Sequence, residues 1–348
     1  MFRRDPLRQT LSQVGEALGR DVTASVPLAR QALPHGGVIG VTRGGQAQVW
    51  AFGDVPSTGV FELASITKSF TAALAQVLVA QGVLTWDTPV RSLGREFRGL
   101  PPHFTPLTLA THTAGLPIHP ARAVITGVTH FHDPYGSMSA RDVLASARRW
   151  ARPSRPPRFG YSNLGAGVLA LALARAAGHD MTAQGFGQAL QTSVLEPLQL
   201  TSITLRPHPA RLVTPRASLG GTSTTNFGPL VGAGGLYGTA GDLLTFAQAH
   251  LSGQAGRHWE AAQVVKGLSL PHAAVAPGWF HTPAPGGPLV WHDGVARGTR
   301  AALGFHPATG RVVVVLARGG LPILGARAAV PLLMLRLLDA NVGRDQHQ

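Results

Sequence analysis

The sequence predicts a mixed chain: an antiparallel sheet flanked on one face by N- and C-terminal helices, with a mainly helical lobe on the other. Three observations predict it. Strand-like runs of β-branched and aromatic residues lie near both ends, a long helical and proline-broken stretch separates them, and an apolar helical pattern closes the chain. The 348 residues, 44% of them apolar, suffice for one large two-lobed unit. The expected division puts residues 1–84 and 218–348 in an α/β lobe and residues 85–217 in the inserted helical lobe.

A polar helix is expected from about Pro6 to Leu18, then strands over Gly37 to Thr42 and Ala47 to Phe52, joined as a hairpin by Arg43-Gly44-Gly45. The segment after Ser65 has Phe70, Leu74, Val77 and Leu78 on one helical face, and Gly82 stands where it ends that helix. From Leu84 to about Ala217 the pattern is helical with proline-rich loops, Leu164 to Ala177 being its most apolar helix. Ala233-Gly234-Gly235-Leu236-Tyr237-Gly238-Thr239 gives a glycine turn and a capping threonine before a helix through Phe246. Strands return at Leu289 to Trp291, Thr299 to Phe305 and Arg311 to Leu316 as an antiparallel meander. A helix over about Ala326 to Leu338 covers one face of that sheet.

Composition excludes several classes of function. Without cysteine there is no thiol nucleophile, disulfide or thiolate metal site. The start of the chain shows no apolar run of the secretory kind, so the cytoplasm is the expected compartment. No apolar stretch reaches the roughly 20 residues that span a bilayer, and no membrane span is expected. The formal charge of +14 comes from scattered arginines with one denser run, Arg148 to Arg158, and no reading motif accompanies it. No specific nucleic-acid partner is therefore expected. His130-Phe131-His132-Asp133, with His103, His112 and His119 upstream, has a metal-like composition but falls in a loop closed by Pro134. No metal and no cofactor are expected.

Lys68 is one of only two lysines. It stands three residues after Ser65, so the two share a helix face. A buried lysine can give up its proton and act as a base, which arginine cannot. A helix start would offer Ser65 free N–H groups and a positive dipole, which suit an anionic tetrahedral intermediate. A capping serine beside a solvated lysine would read the same way, so the pair needs partners. Tyr161-Ser162-Asn163, at a loop-to-helix junction, offers one set: a tyrosine whose proton a neighbouring ammonium would loosen, and a carboxamide able to bind Lys68 and a substrate carbonyl. Trp291-His292-Asp293-Gly294 offers the other. Gly294 within a strand is expected to mark a close backbone approach by a ligand, His292 could hydrogen-bond a proton shuttle, and the Val295 N–H could be the second oxyanion donor.

In this order, Ser65-x-x-Lys68, Tyr161-Ser162-Asn163 and His292-Asp293-Gly294 resemble the serine β-lactamase and penicillin-binding-protein superfamily, specifically its class C-like branch. Leu107 to Pro117 and Gly234 to Phe246 resemble two further segments of that family, so the likeness runs from about Gly37 to Leu338. The resemblance implies that Ser65 attacks the acyl carbon, that Lys68 and Tyr161 share its proton, and that Asn163 positions lysine and substrate. The substrate would be a small ester, amide or lactam. His292 departs from the lysine that opens the third motif in β-lactamases, and histidine there resembles esterase and D-amino-acid amidase members. The expectation is a β-lactamase-like carboxylesterase. The alternatives are a D-amino-acid amidase or peptidase, a true β-lactamase, and a noncatalytic binding protein that keeps the fold. Asp293 would favour a substrate amine if its side chain faced the cleft.

Overall fold

The computed structural model describes residues 5–123, 135–150, 157–216, 221–269, 272–319 and 329–339. Seven strands form one antiparallel sheet: β1 (Gly37–Arg43), β2 (Gln46–Phe52), β5 (Ala274–Ala276), β6 (Trp279–Thr282), β7 (Leu289–Val295), β8 (Thr299–His306) and β9 (Arg311–Arg318). Their order is β2-β1-β9-β8-β7-β6-β5, so the first hairpin sits beside the last strand and the early and late parts of the chain share one sheet. A separate two-stranded pair joins β3 (Phe61–Glu62) to β4 (Tyr237–Gly238).

Period-two alternation assigns the two faces. In β9, Val313, Val315 and Ala317 look toward α1 (Pro6–Leu18), α2 (Val26–Ala32) and α10 (Ala329–Leu338), while Val312, Val314 and Leu316 belong to the larger core on the opposite side. That larger core takes in α3 (Thr67–Ala80), α4 (Pro106–Ala110), α5 (Ala140–Trp150), α6 (Asn163–Ala176), α7 (Ala183–Leu190), the short α8 (Val231–Gly234) and α9 (Ala240–Ser252). Helix α6 is buried on every side from Leu164 to Ala174, as a helix apolar all round must be. Asp5 caps α1 and Thr239 caps α9, each accepting a backbone N–H of the first turn.

Three local features differ from the sequence expectation. Ser65 lies in a 3₁₀ turn, Ala64–Ile66, and the α-helix proper starts at Thr67. Strands β5 and β6 were not anticipated, because they are three and four residues long and separated only by Pro277-Gly278. Helix α2 was missed as well; seven residues give too little periodicity to read. His130-Phe131-His132-Asp133, residues 151–156 of the arginine-rich run, Ala217 and Ala326 fall outside the described residues. Among the described residues no helix is long and apolar enough to cross a membrane, and no group of three His, Asp or Glu side chains is placed to hold a metal.

Candidate active site

The site is assembled where three elements converge on the turn that precedes α3. That turn is held from two directions. On one side, the first turns of α3 are pinned to the segment around α8: Thr67 Oγ1 accepts the Leu236 N–H (3.1 Å) and the Thr71 hydroxyl donates to the Gly232 carbonyl (2.9 Å). On the other, β7 runs against Leu63 and Ala64 so closely that a Cβ at position 294 would lie 2.2 Å from the Leu63 carbonyl oxygen. Only glycine fits there, and the contact sets the end of β7 against the turn that holds Ser65. Ala64 itself takes a left-handed conformation, φ 45°, which an alanine adopts at a cost of about 1 kcal/mol and only where the surroundings enforce it.

Lys68 is buried, and its Nζ has three close oxygen neighbours: Ser65 Oγ at 2.9 Å, Asn163 Oδ1 at 2.8 Å and the Ala233 carbonyl at 2.7 Å. A neutral amine has two hydrogens and one lone pair. The two acceptors that cannot donate, Asn163 Oδ1 and the Ala233 carbonyl, take the hydrogens, which leaves the lone pair for the Ser65 hydroxyl. Burial pulls Lys68 down to about 7, the nearby Asp293 carboxylate only partly opposing it. At neutral pH a large share of the molecules therefore carry the base form.

Tyr161 is hydrogen-bonded to Ser65, and its ring centroid lies 4.8 Å from Lys68 Nζ. The expectation that a neighbouring ammonium would loosen the phenol is corrected here. Burial dominates and pushes the Tyr161 hydroxyl above its usual value, with Asp293 adding to the rise. Tyr161 thus holds its proton, while Lys68 gives its own up.

The Tyr-Ser-Asn tripeptide is fixed by helix capping. Ser162 is the N-cap of α6: its hydroxyl accepts the Gly165 N–H (2.8 Å) and donates to the Pro117 carbonyl (2.6 Å). Asn163 donates its backbone N–H to the Ile118 carbonyl (3.0 Å). Sequence reading missed the partners that complete this arrangement. His112, buried at φ 59°, accepts the Ser162 N–H on Nδ1 (3.2 Å), and its ring centroid lies 4.5 Å from that of Tyr161. Burial holds His112 far below the usual histidine range, so it is a neutral acceptor. Tyr135 hydrogen-bonds Asn163 and meets His119 Nδ1 at 2.6 Å, building a polar wall on the far side of the carboxamide. His112 and His119 lay in view within Leu107 to Pro117 and just beyond it, but nothing in their spacing ties them to Tyr161 or Asn163.

His292 is buried against Phe280, their ring centroids 5.1 Å apart. Its Nδ1–H donates to the Asp293 carbonyl (2.8 Å), and Nε2 has no partner among the described residues. Burial drives it down to about 3, with the Lys68 charge adding to the effect, so His292 is neutral at any working pH. Asp293 is half-buried and is raised to about 6, again chiefly by burial, with Lys68 and Arg300 opposing. Arg300 donates to the carbonyls of Ala296 and Thr299. A cavity of about 880 Å³ lies between α7, Ile203, Leu205 and Phe227, and none of Ser65, Lys68, Tyr161 and His292 lines it.

The D-alanyl-D-alanine-carboxypeptidase/endopeptidase AmpH of Escherichia coli is 31% identical over 204 residues, 56% of this chain and 49% of the relative. A beta-lactamase of Providencia stuartii is 26% identical over 198 residues, 56% of this chain and 44% of the relative. The chain spans about half the length of the curated relatives it matches. In fold it is similar to a beta-lactamase/D-alanine carboxypeptidase from Pseudomonas syringae (TM-score 0.74, 20% identity, 94% of this chain and 99% of that one). It is equally similar to a class C beta-lactamase from Rhodobacter sphaeroides (TM-score 0.73, 22% identity, 92% and 98%). The Beta-lactamase family model matches residues 27–335, and with that span this chain belongs to the Beta-lactamase family of serine hydrolases.

Proposed function

We propose that this chain is a serine hydrolase that cleaves small esters or amides through an acyl-enzyme, with uncharged esters preferred over β-lactams. The observation that carries the reading is Lys68: a buried amine at about 7, bonded at once to Asn163, the Ala233 carbonyl and Ser65.

In this reading Ser65 Oγ forms a bond to the acyl carbon while its proton passes to the Lys68 lone pair. The backbone N–H groups of Ser65 and Val295 take the negative charge on the tetrahedral oxygen. When the intermediate collapses, the leaving group is expelled and takes a proton from Tyr161, which burial keeps protonated, and the proton held on Lys68 passes to Tyr161 in its place. Water then attacks the acyl-serine with the roles reversed. Asn163 holds the lysine and offers its amide N–H₂ to the substrate carbonyl. Residues 85–217 would form the lobe that carries Tyr161 and Asn163 to the cleft.

The neutral His292 supports the ester preference. A substrate carboxylate finds no permanent cation at this position, whereas a charge-assisted hydrogen bond there would contribute about 1.5 to 3 kcal/mol. A second reading, hydrolysis of D-amino-acid amides or peptides, is supported by the likeness to AmpH. Intact-mass spectrometry tests both. Incubation with a fluorophosphonate, 4-nitrophenyl butyrate, a D-alanyl-D-alanine peptide and penicillin G should yield a covalent adduct on Ser65 that Ser65→Ala abolishes. Absence of every adduct would leave a noncatalytic binding protein.

A further inference from the structure

We propose that Tyr135 and His119 are positioning residues that act on the reaction through Asn163, holding its carboxamide with the oxygen toward Lys68 and the N–H₂ turned away. The proposal rests on the reading of Ser65 as nucleophile and Lys68 as its base. A line of polar contacts runs from the protein surface to that base. Ser65 Oγ and Asn163 Oδ1 lie 2.9 and 2.8 Å from Lys68 Nζ, Tyr135 is hydrogen-bonded to Asn163, and the Tyr135 hydroxyl meets His119 Nδ1 at 2.6 Å. Tyr135 is buried, whereas His119 is exposed.

Each link has a direction. Asn163 Oδ1 is engaged by a Lys68 hydrogen, so the group that still needs a partner is the N–H₂, and the Tyr135 oxygen accepts one of its hydrogens. The Tyr135 hydrogen then goes to His119 Nδ1. Burial pushes Tyr135 up to about 12, so the phenol keeps that hydrogen to give. Burial and, after it, the Lys68 charge hold His119 below its ordinary value, which favours a neutral ring with Nδ1 free to accept. Exchanging oxygen and N–H₂ in Asn163 would set hydrogens against those of Lys68 and leave buried donors without acceptors. Both supports are anchored outside the cleft. The Tyr135 ring stacks on Phe227 with centroids 5.9 Å apart, and its carbonyl accepts the Met138 N–H (3.0 Å). His119 follows Ile118, whose carbonyl accepts the N–H groups of Asn163 (3.0 Å) and Leu164 (3.2 Å), so the start of α6 sets where the imidazole stands.

The experiment is a double-mutant cycle between Tyr135 and Asn163, read on the rate of fluorophosphonate labelling of Ser65 and on kcat/KM for 4-nitrophenyl butyrate. Tyr135→Phe removes the hydroxyl and keeps the ring that stacks on Phe227. It should slow both reactions about tenfold in the wild-type background and less than about twofold beside Asn163→Ala, because a residue that works through Asn163 then has nothing left to position. Equal losses in the two backgrounds would overturn the proposal. His119 is tested separately. His119→Leu removes the acceptor and should approach the loss seen for Tyr135→Phe, while His119→Gln supplies an uncharged amide oxygen and should stay within about threefold of wild type. A leucine variant as active as wild type, or leucine and glutamine variants impaired alike, would overturn the part given to His119. Labelling also separates the proposal from the reading beneath it. Wild type that is not labelled at Ser65 overturns the hydrolase reading, whereas labelled wild type with additive losses overturns the positioning role alone.

Discussion

Lys68 Nζ and the Ala233 carbonyl oxygen are 2.7 Å apart and buried. Together with Asn163, this carbonyl occupies the hydrogens of the amine and turns its lone pair to Ser65, so base character depends on a neutral, directional nitrogen rather than on positive charge. Lys68→Arg keeps the charge and loses the lone pair. Its kcat should fall at least a thousandfold, about 4 kcal/mol of barrier, with circular dichroism unchanged. Retention of a tenth of the wild-type kcat would remove Lys68 as the base.

The pH profile should rise. Lys68 is at about 7 instead of its ordinary value, so the base form fills as pH passes through that region, and kcat/KM for an uncharged ester should climb about tenfold per unit below it and level off above. A profile flat from pH 5.5 to 8.5 would contradict this assignment.

Tyr161→Phe deletes the proton donor but keeps the ring that packs beside His112. The expected loss in kcat is 10² to 10⁴, the range of general acid–base groups, and it should be smaller for a 4-nitrophenyl ester than for an alkyl ester, since nitrophenolate leaves without protonation. Equal losses on both substrates would argue against the acid role.

Glu62 links the two halves of the proposed oxyanion site. Its buried carboxylate accepts the Thr225 N–H (2.6 Å) and the Thr299 hydroxyl (3.3 Å), while Thr225 Oγ1 accepts the Arg297 N–H (3.1 Å). One side chain thus ties the strand leading to Ser65 to the turn that follows Val295. Glu62→Ala strands these donors and should lower kcat ten- to a hundredfold with little change in KM, whereas Glu62→Gln should recover most of the loss. Steady-state kinetics of the two variants checks the split.

Stability should fall in acid. His112, His258, His250 (about 4) and His292 (about 3) are buried and lie below the ordinary histidine value, so the unfolded chain binds protons that the folded one refuses. Their contribution is complete above the unfolded value near pH 6.5 and is lost as pH drops toward 4, on the order of 3 kcal/mol for His250 alone. Glu62 and Asp293 are raised and act in the opposite sense, but there are two of them against four histidines. Urea midpoints at pH 7.5 and pH 5 should differ clearly, and equal midpoints would refute the buried neutral state of these rings.

The sequence by itself determined the family and most of the scaffold, and it singled out the candidate site. Ser65, Lys68, Tyr161, Asn163 and Gly294 were legible because each belongs to a short local pattern, and β8, β9 and α6 because long apolar runs carry their own periodicity. Strands β5 and β6 were not legible, being too short to show a period, although the β5–β6 turn touches α3 through the Ser69–Gly278 bond of 2.8 Å. Nor were the charge states. A histidine at 292 and a tyrosine at 161 give no sign of how deeply they are buried, and burial is what leaves one neutral, keeps the proton on the other and empties Lys68 of its own. Those quantities come from segments distant in sequence, such as His112 under Tyr161, Ala233 against Lys68 and Leu63 against Gly294, and they exist only once the chain has packed.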